Sequence, residues 1–341
     1  MKRIEFIDGL RGIAILLVLC YHAFTRWTLI LPYGDKFANV YPFKFGYLGV
    51  ELFFLISGFV ILMSLEKGQS FYVFLYKRWL RLFPGMMICS FIIYISAQIF
   101  VERPLGIPTI KSVLPGLFFI EPSWINLLFG THFSSLEGSF WSLFVEFKFY
   151  VLFGGLYFIL GKERALLAML IFIIFSIFVN SERVHYLTSL SCLFSLEYFG
   201  WFLSGSLSYL FYVNKQLKYL LYAIFIGVAQ ILFYNQNALV FSFFLLVLFN
   251  IPIFFVSFRR VMSSPILLFL GFVSYPLYLL HENMMVSLII KMGKLDMKIP
   301  NEFLAMIPMA ILVFVAYFVA KVLEPSLKNI LNGSITKYWI N

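Results

Sequence analysis

Apolar runs long enough to cross a bilayer recur along almost the whole of this sequence, and no other feature constrains the fold so tightly. A hydrocarbon core about 30 Å thick needs about 20 residues of helix, or 17 to 25 with tilt. Such runs lie near 8–28, 47–65, 79–100, 139–160, 165–180, 190–212, 217–234, 238–257, 265–289 and 303–323. The expected fold class is therefore an all-α polytopic membrane protein of about ten transmembrane helices. Composition agrees, with 62% of residues hydrophobic and only 12% charged, against about half and a quarter in soluble domains. The first run carries Arg11 near its start and no small-residue cleavage site follows, so it reads as a retained span rather than a signal peptide. No internal repeat, low-complexity tract or soluble appendage interrupts the pattern, and residues 1–341 are expected to form a single membrane domain.

The net charge of +10 does not mark a nucleic-acid binder, because the charges fall between apolar runs as topology determinants do. With the N-terminus inside, sixteen Lys and Arg face the cytoplasm, among them Lys2, Arg3, Lys77, Arg78 and Arg81. Nine face outward, including Arg26, Arg103, Arg183 and Lys298, and Lys148 is left within a span. Both termini are thus expected to be cytoplasmic. The longest connection, 101–138 on the outer face, carries Pro104, Pro108, Pro115 and Pro122. A loop of that length is uncommon without a function, and it reads either as a re-entrant or interfacial lid or as an ordinary lipid-surface segment. Cys20, Cys89 and Cys192 lie in apolar runs without metal-ligand spacing and read as packing residues.

Ionisable groups in hydrocarbon are costly unless they face a protein interior or a wet cavity, so their positions point to function. Arg11 and His22 are eleven residues apart, which returns them to within about 20° on one helix face, about 16 Å apart along the axis. Arg78 and Arg81 are helical neighbours whose guanidinium groups suit bidentate phosphate recognition. Ser139, Ser142, Glu146 and Tyr150 form a polar stripe on one helix face, from which Lys148 points away. Ser274, Tyr278 and His281 share another face with Glu282 next in sequence, and Glu51 opens the second span. Glu197, Trp201 and Ser204 make a weaker stripe, read as structural. Blander readings exist: Arg11 can snorkel to headgroups, and Arg78 with Arg81 can serve as a positive-inside anchor. Sorted by depth, the cationic set Arg11, Arg78 and Arg81 is inner and suits a polyanionic cytosolic ligand. The set His22, Glu51, Glu146 and His281 is mid to outer and suits proton transfer at a hydroxyl. A proton-coupled secondary transporter or flippase also uses intramembrane His and Glu, although no repeated half with matching broken helices is visible. A non-catalytic scaffold is the third alternative.

Five motifs resemble, in order, those of the membrane acyltransferase 3 family. They are Ile7-Asp8-Gly9-Leu10-Arg11-Gly12 through His22, the Gly-Val-Glu-Leu-Phe-Phe-Leu-Ile-Ser-Gly-Phe run at 49–59, and Arg-x-x-Arg at 78–81. The other two are Trp-Ser-Leu-x-x-Glu at 141–146 with Tyr150, and Ser-Tyr-x-Leu-Tyr-x-x-His at 274–281. The resemblance implies a ten-helix domain in the bacterial inner membrane that uses cytosolic acyl-CoA, usually acetyl-CoA, to O-acylate an extracytoplasmic acceptor. That acceptor would be a surface glycan such as O-antigen, capsule, exopolysaccharide or peptidoglycan, or a lipid-linked glycan. Arg11 and His22 match the family's essential pair, Arg78 and Arg81 its arginines, and Glu146 its acid. Three departures stand out. The second-span acid is Glu51 where the family has Asp, and Phe147 and Lys148 replace polar residues after Glu146. The serine-hydrolase-like outer domain of some members is absent, so the membrane domain is expected to complete transfer itself or to hand the acyl group to a separate periplasmic partner.

On that resemblance Arg78, Arg81 and Arg11 would hold the coenzyme phosphates, and His22 would act as general base on the acceptor hydroxyl. Glu146 or Glu51 would orient the imidazole, with His281 as a further acid–base group. Ser142, Tyr150 or Tyr278 would donate to the oxyanion. No metal is expected, and direct transfer and an acyl-histidine intermediate both remain open.

Overall fold

The computed structural model describes residues 4–68, 70–182, 185–295 and 299–339; Lys2, Arg3, Arg183 and Lys298 of the charge count lie outside them. Among the described residues all regular elements are helical. Eight helices are long and apolar enough to cross a membrane, or ten if each of two sharply bent pairs is one span. The first, second, fourth, fifth, seventh and eighth expected runs match the helices Glu5–Phe24, Gly46–Leu65, Gly138–Leu160, Lys162–Ser181, Leu217–Tyr234 and Gln236–Phe254, and the tenth overlaps the first part of Met306–Asn332. The third run, expected from residue 79, is a helix already from Phe71 to Ile99. Its first two turns carry Lys77 and Arg78, which hydropathy discards and helical propensity does not.

Two expected spans are broken. The run at 190–212 divides into His185–Phe194 and Phe199–Asn214, separated by Ser195 with φ 57°. The last carbonyls of a helix lack intrahelical donors. Here the buried Lys148 ammonium donates to Leu193 O at 2.8 Å and to Ser195 Oγ at 2.9 Å. Lys148 thus has a structural task, capping a buried helix end. The run at 265–289 breaks at His281, between helices Pro265–Leu280 and Glu282–Lys294.

The chain packs as two compact units, each assembled from separated stretches. One comprises Met1–Ala14, Leu48–Arg78 and Ser142–Leu268. Its core is a close crossing of the Gly49–Leu65 and Phe199–Asn214 helices. A Cβ on Gly58 would lie 1.9 Å from Phe202 O, and one on Gly205 would lie 2.0 Å from Leu55 O. Lipid supplies no hydrophobic drive between membrane helices, so such small-residue approach and buried hydrogen bonds hold them together. Ser206 Oγ donates to Gly58 O at 2.9 Å across the same crossing, and Phe202 stacks on Phe149 and Phe54.

The other unit comprises Ile15–Tyr47, Trp79–Trp141 and Phe269–Asn341. Tyr33 donates to Ala23 O, folding the segment after the first helix back onto that helix's end. The 101–138 connection contains two short helices, Ile110–Phe118 and Pro122–Phe129, bent by 106°. Asn126 closes the turn after them, accepting from Phe133 N at 2.6 Å and donating to Phe133 O at 2.9 Å. The ends of the connection are tied by the Arg103–Glu137 ion pair at 2.7 Å.

Candidate active site

The helix break at 281 creates the local chemistry. Tyr278 O is among the last carbonyls of its helix, and the His281 ring caps it through Nδ1 at 2.6 Å. A carbonyl only accepts, so His281 carries its proton on Nδ1, and the neutral ring presents a lone pair at Nε2. That nitrogen is 3.3 Å from His22 Nδ1, on the last turn of the first helix. His22 Nδ1 also lies 3.0 Å from Val18 O, so both of its neighbours are acceptors and it must carry the hydrogen. In a neutral His22 ring the hydrogen therefore sits on Nδ1 and Nε2 is the basic nitrogen, facing the Glu282 carboxylate, whose Oε1 is 3.9 Å away. The His22 side chain is 13% exposed and that of Glu282 7%, while His281 is fully buried. One imidazole of the pair is reachable, and the other is its fixed support.

Glu282 is held from the end of the 101–138 connection. Its Oε2 accepts the Ser139 N–H at 2.5 Å, and Tyr278 Oη donates to Ser139 O at 3.0 Å. Two residues earlier, fully buried Glu137 accepts from Arg103 Nη2 at 2.7 Å, from Asn283 N at 3.2 Å and from Asn283 Nδ2. Asn283 Oδ1 in turn accepts Leu105 N at 3.0 Å. Burial pushes the Glu137 carboxyl above the ordinary range; Arg103 pulls it down, the Glu282 charge raises it further, and the Asn283 bonds lower it.

The remaining sequence-derived candidates, Arg81 apart, belong to the other unit. Glu146 accepts from Tyr150 Oη, one helical turn on, at 2.6 Å and from Ser57 Oγ. The Arg78 guanidinium lies over the rings of Phe74 and Tyr150, 5.7 and 5.9 Å from their centroids. Arg11 is not a free snorkelling cation, since its Nη1 is 2.6 Å from Asp8 Oδ1. Glu51, in the first turn of its helix, accepts from Asn235 Nδ2 at 3.4 Å, and Ser142 is buried. Arg81 is exposed, in the unit that holds the histidines.

The structure thus brings together His22, His281 and Tyr278 in one cluster, and Glu146, Tyr150 and Arg78 in another. The carboxylate beside His22 is Glu282, which the sequence marks only as the residue that follows the 274–281 motif. Glu137, Arg103 and Asn283 were not singled out at all. For Glu137 and Asn283 the sequence signal is adjacency, since Asn283 follows a motif histidine by two residues and Glu137 precedes the polar stripe at 139, whereas Arg103 carries no such signal. Among the described residues no three His, Cys, Asp or Glu side chains group as a metal site would require.

Two curated relatives illustrate what the chain is similar to. A peptidoglycan O-acetyltransferase of Listeria monocytogenes is 26% identical over 163 residues, covering 44% of this chain and 24% of that protein. An O-acetyl transferase of Shigella phage Sf6 is 26% identical over 163 residues, covering 45% of this chain and 46% of that protein. The matched stretch thus spans about a quarter to a half of these relatives. No solved structure matches the chain. The family model described as an acyltransferase domain matches residues 4–323, nearly the whole of the two units described above, and the chain belongs to the acyltransferase 3 family.

Proposed function

We propose that this protein is a multi-pass O-acyltransferase of the bacterial inner membrane that moves an acyl group, acetyl in the first instance, from cytosolic acyl-CoA to a hydroxyl of an extracytoplasmic glycan. The observation that carries this reading is the placement of His22, whose Nδ1 is turned to two acceptors while its accessible Nε2 lies 3.9 Å from a carboxylate. An imidazole so arranged is a general base near neutral pH. His22 Nε2 takes the proton of the acceptor hydroxyl as its oxygen attacks the thioester carbon. The tetrahedral oxyanion then collapses, the carbon–sulfur bond breaks, and the departing coenzyme A thiolate recovers the proton from His22. Glu282 stabilises the imidazolium between those two steps, the role first assigned to Glu146 or Glu51.

Arg11, Arg78 and Arg81 are the proposed holders of the donor's phosphates. Arg78, lying over two rings, offers the planar fork that suits phosphate oxygens. Ser142, Tyr150 and Tyr278 remain the proposed oxyanion donors; the hydroxyls of Tyr150 and Tyr278 are bonded to Glu146 and to Ser139 O and would exchange those bonds for one to the oxyanion. Glycan acceptors agree with the peptidoglycan O-acetyltransferase named above. The proposed topology puts both termini in the cytoplasm, which places His22, at the far end of the first helix, toward the outer face with the 101–138 connection.

The test is release of coenzyme A thiol from acetyl-CoA by the protein in membranes, with cell-envelope extract as acceptor. Release abolished in both His22→Ala and Arg78→Ala supports the reading. Turnover retained in His22→Ala at normal protein level refutes the assignment of the base. Acceptor movement driven by proton-motive force, without acyl-CoA consumption, would establish the transporter instead.

A further inference from the structure

Gly138 is pressed against the Glu282 carboxylate: a Cβ at this position would lie 2.7 Å from Oε1 and 2.9 Å from Oε2. The glycine is not among those with left-handed backbone, so space rather than backbone freedom is what excludes a side chain here. The residues on either side grip the same turn. Glu137, fixed by Arg103 at 2.7 Å, accepts two hydrogen bonds from Asn283. Ser139 donates its N–H to Glu282 Oε2 at 2.5 Å. Three consecutive residues thus contact two consecutive residues across more than 140 positions of sequence. The middle one touches the two oxygens whose distance to His22 matters.

We propose that Glu137-Gly138-Ser139 is a positioning clasp for Glu282, and that the missing side chain at 138 sets the separation between the Glu282 carboxylate and His22. The proposal rests on His22 acting as the base. A methyl group at 138 forces the carboxylate to swing. The fold yields easily, because the obstructed atoms are the far end of a flexible side chain rather than backbone. Glu137 acts one step further out, holding Asn283 so that Glu282 begins its helix opposite Ser139.

The experiment introduces Gly138→Ala into the full chain with Glu282 unchanged and, separately, into a Glu282→Asp background whose shorter side chain withdraws from the added methyl. With acetyl-CoA and envelope extract, Gly138→Ala is expected to lower kcat about 100-fold, the scale of a 1 Å misplacement. KM for acetyl-CoA should stay within about twofold and the thermal unfolding midpoint close to that of the parent. In the Glu282→Asp background the same substitution should change kcat by less than about threefold. Equal losses in both backgrounds, or a parent-like kcat in Gly138→Ala alone, would overturn the clasp. A second readout needs no turnover: the rate of His22 modification by diethyl pyrocarbonate, followed by mass spectrometry, should rise severalfold in Gly138→Ala and stay level in the Glu282→Asp background. If the parent shows no His22-dependent thiol release, the proposed function fails, while unchanged labelling in Gly138→Ala independently refutes the clasp.

Discussion

Replacing Glu282 by glutamine keeps the side chain's size and its acceptor for Ser139 N–H while removing the charge that faces His22. Its effect can be worked from one distance. At 3.9 Å an imidazolium and a carboxylate interact by about 4 kcal/mol at the effective dielectric constant of about 20 that suits partly exposed protein sites. That energy exists only while His22 is protonated, between proton abstraction and coenzyme release, so it lowers the transition state more than the ground state. At about 1.4 kcal/mol per tenfold, the ceiling is roughly a thousandfold in kcat. The 13% exposure of His22 admits some solvent screening, and the expected loss is between about a hundredfold and a thousandfold. Steady-state thiol release from acetyl-CoA in membranes measures it, with KM for acetyl-CoA expected to stay near the parent value because no donor contact is removed. Glu282→Asp, which keeps the charge at greater distance, should lose less. A Glu282→Gln enzyme within about fivefold of the parent would show that the carboxylate does not stabilise the imidazolium, and the general-base geometry would need another partner.

Other outcomes follow from the same contacts. Arg103→Met leaves Glu137 buried without its cation and should destabilise the protein by about 3–5 kcal/mol, read as a lower unfolding midpoint in detergent. The double variant with Glu137→Gln should recover most of that loss, and equal midpoints for single and double would discount the pair. Lys148→Met, which frees Leu193 O and the Ser195 hydroxyl, should cost about 1–3 kcal/mol and leave kcat of the surviving protein near the parent value. A fall in kcat with stability unchanged would instead give Lys148 a role in turnover. Arg78→Lys removes the fork that lies over Tyr150, and KM for acetyl-CoA is expected to rise about tenfold with a smaller change in kcat. An unchanged KM would move donor binding elsewhere. Radiolabelled acetyl-CoA without acceptor should label the protein on histidine only if an acyl-histidine intermediate forms; no label supports direct transfer.

What could be read without a structure was whatever repeats locally. Runs of apolar residues betray helices because lipid contact selects every residue around the helix, and eight of the ten expected runs coincide with helices able to span. The Glu146–Tyr150 bond was visible as a one-turn spacing, since i and i+4 meet on any helix. The breaks at Ser195 and His281 were not legible, because both sit in apolar runs that continue past them and the helix stops there through a capping contact. That contact comes from Lys148 in one case and from the histidine's own ring in the other. His22 was found by its residue type in hydrocarbon, but its protonation state was not. Which nitrogen carries the hydrogen depends on Val18 O and on His281, 259 residues away. Glu282, Ser139 and Gly138 meet only after the 101–138 connection folds back onto the break. A sequence specifies which groups a membrane must hide, whereas the distances at which hidden groups face one another are decided by packing between segments that share no periodicity.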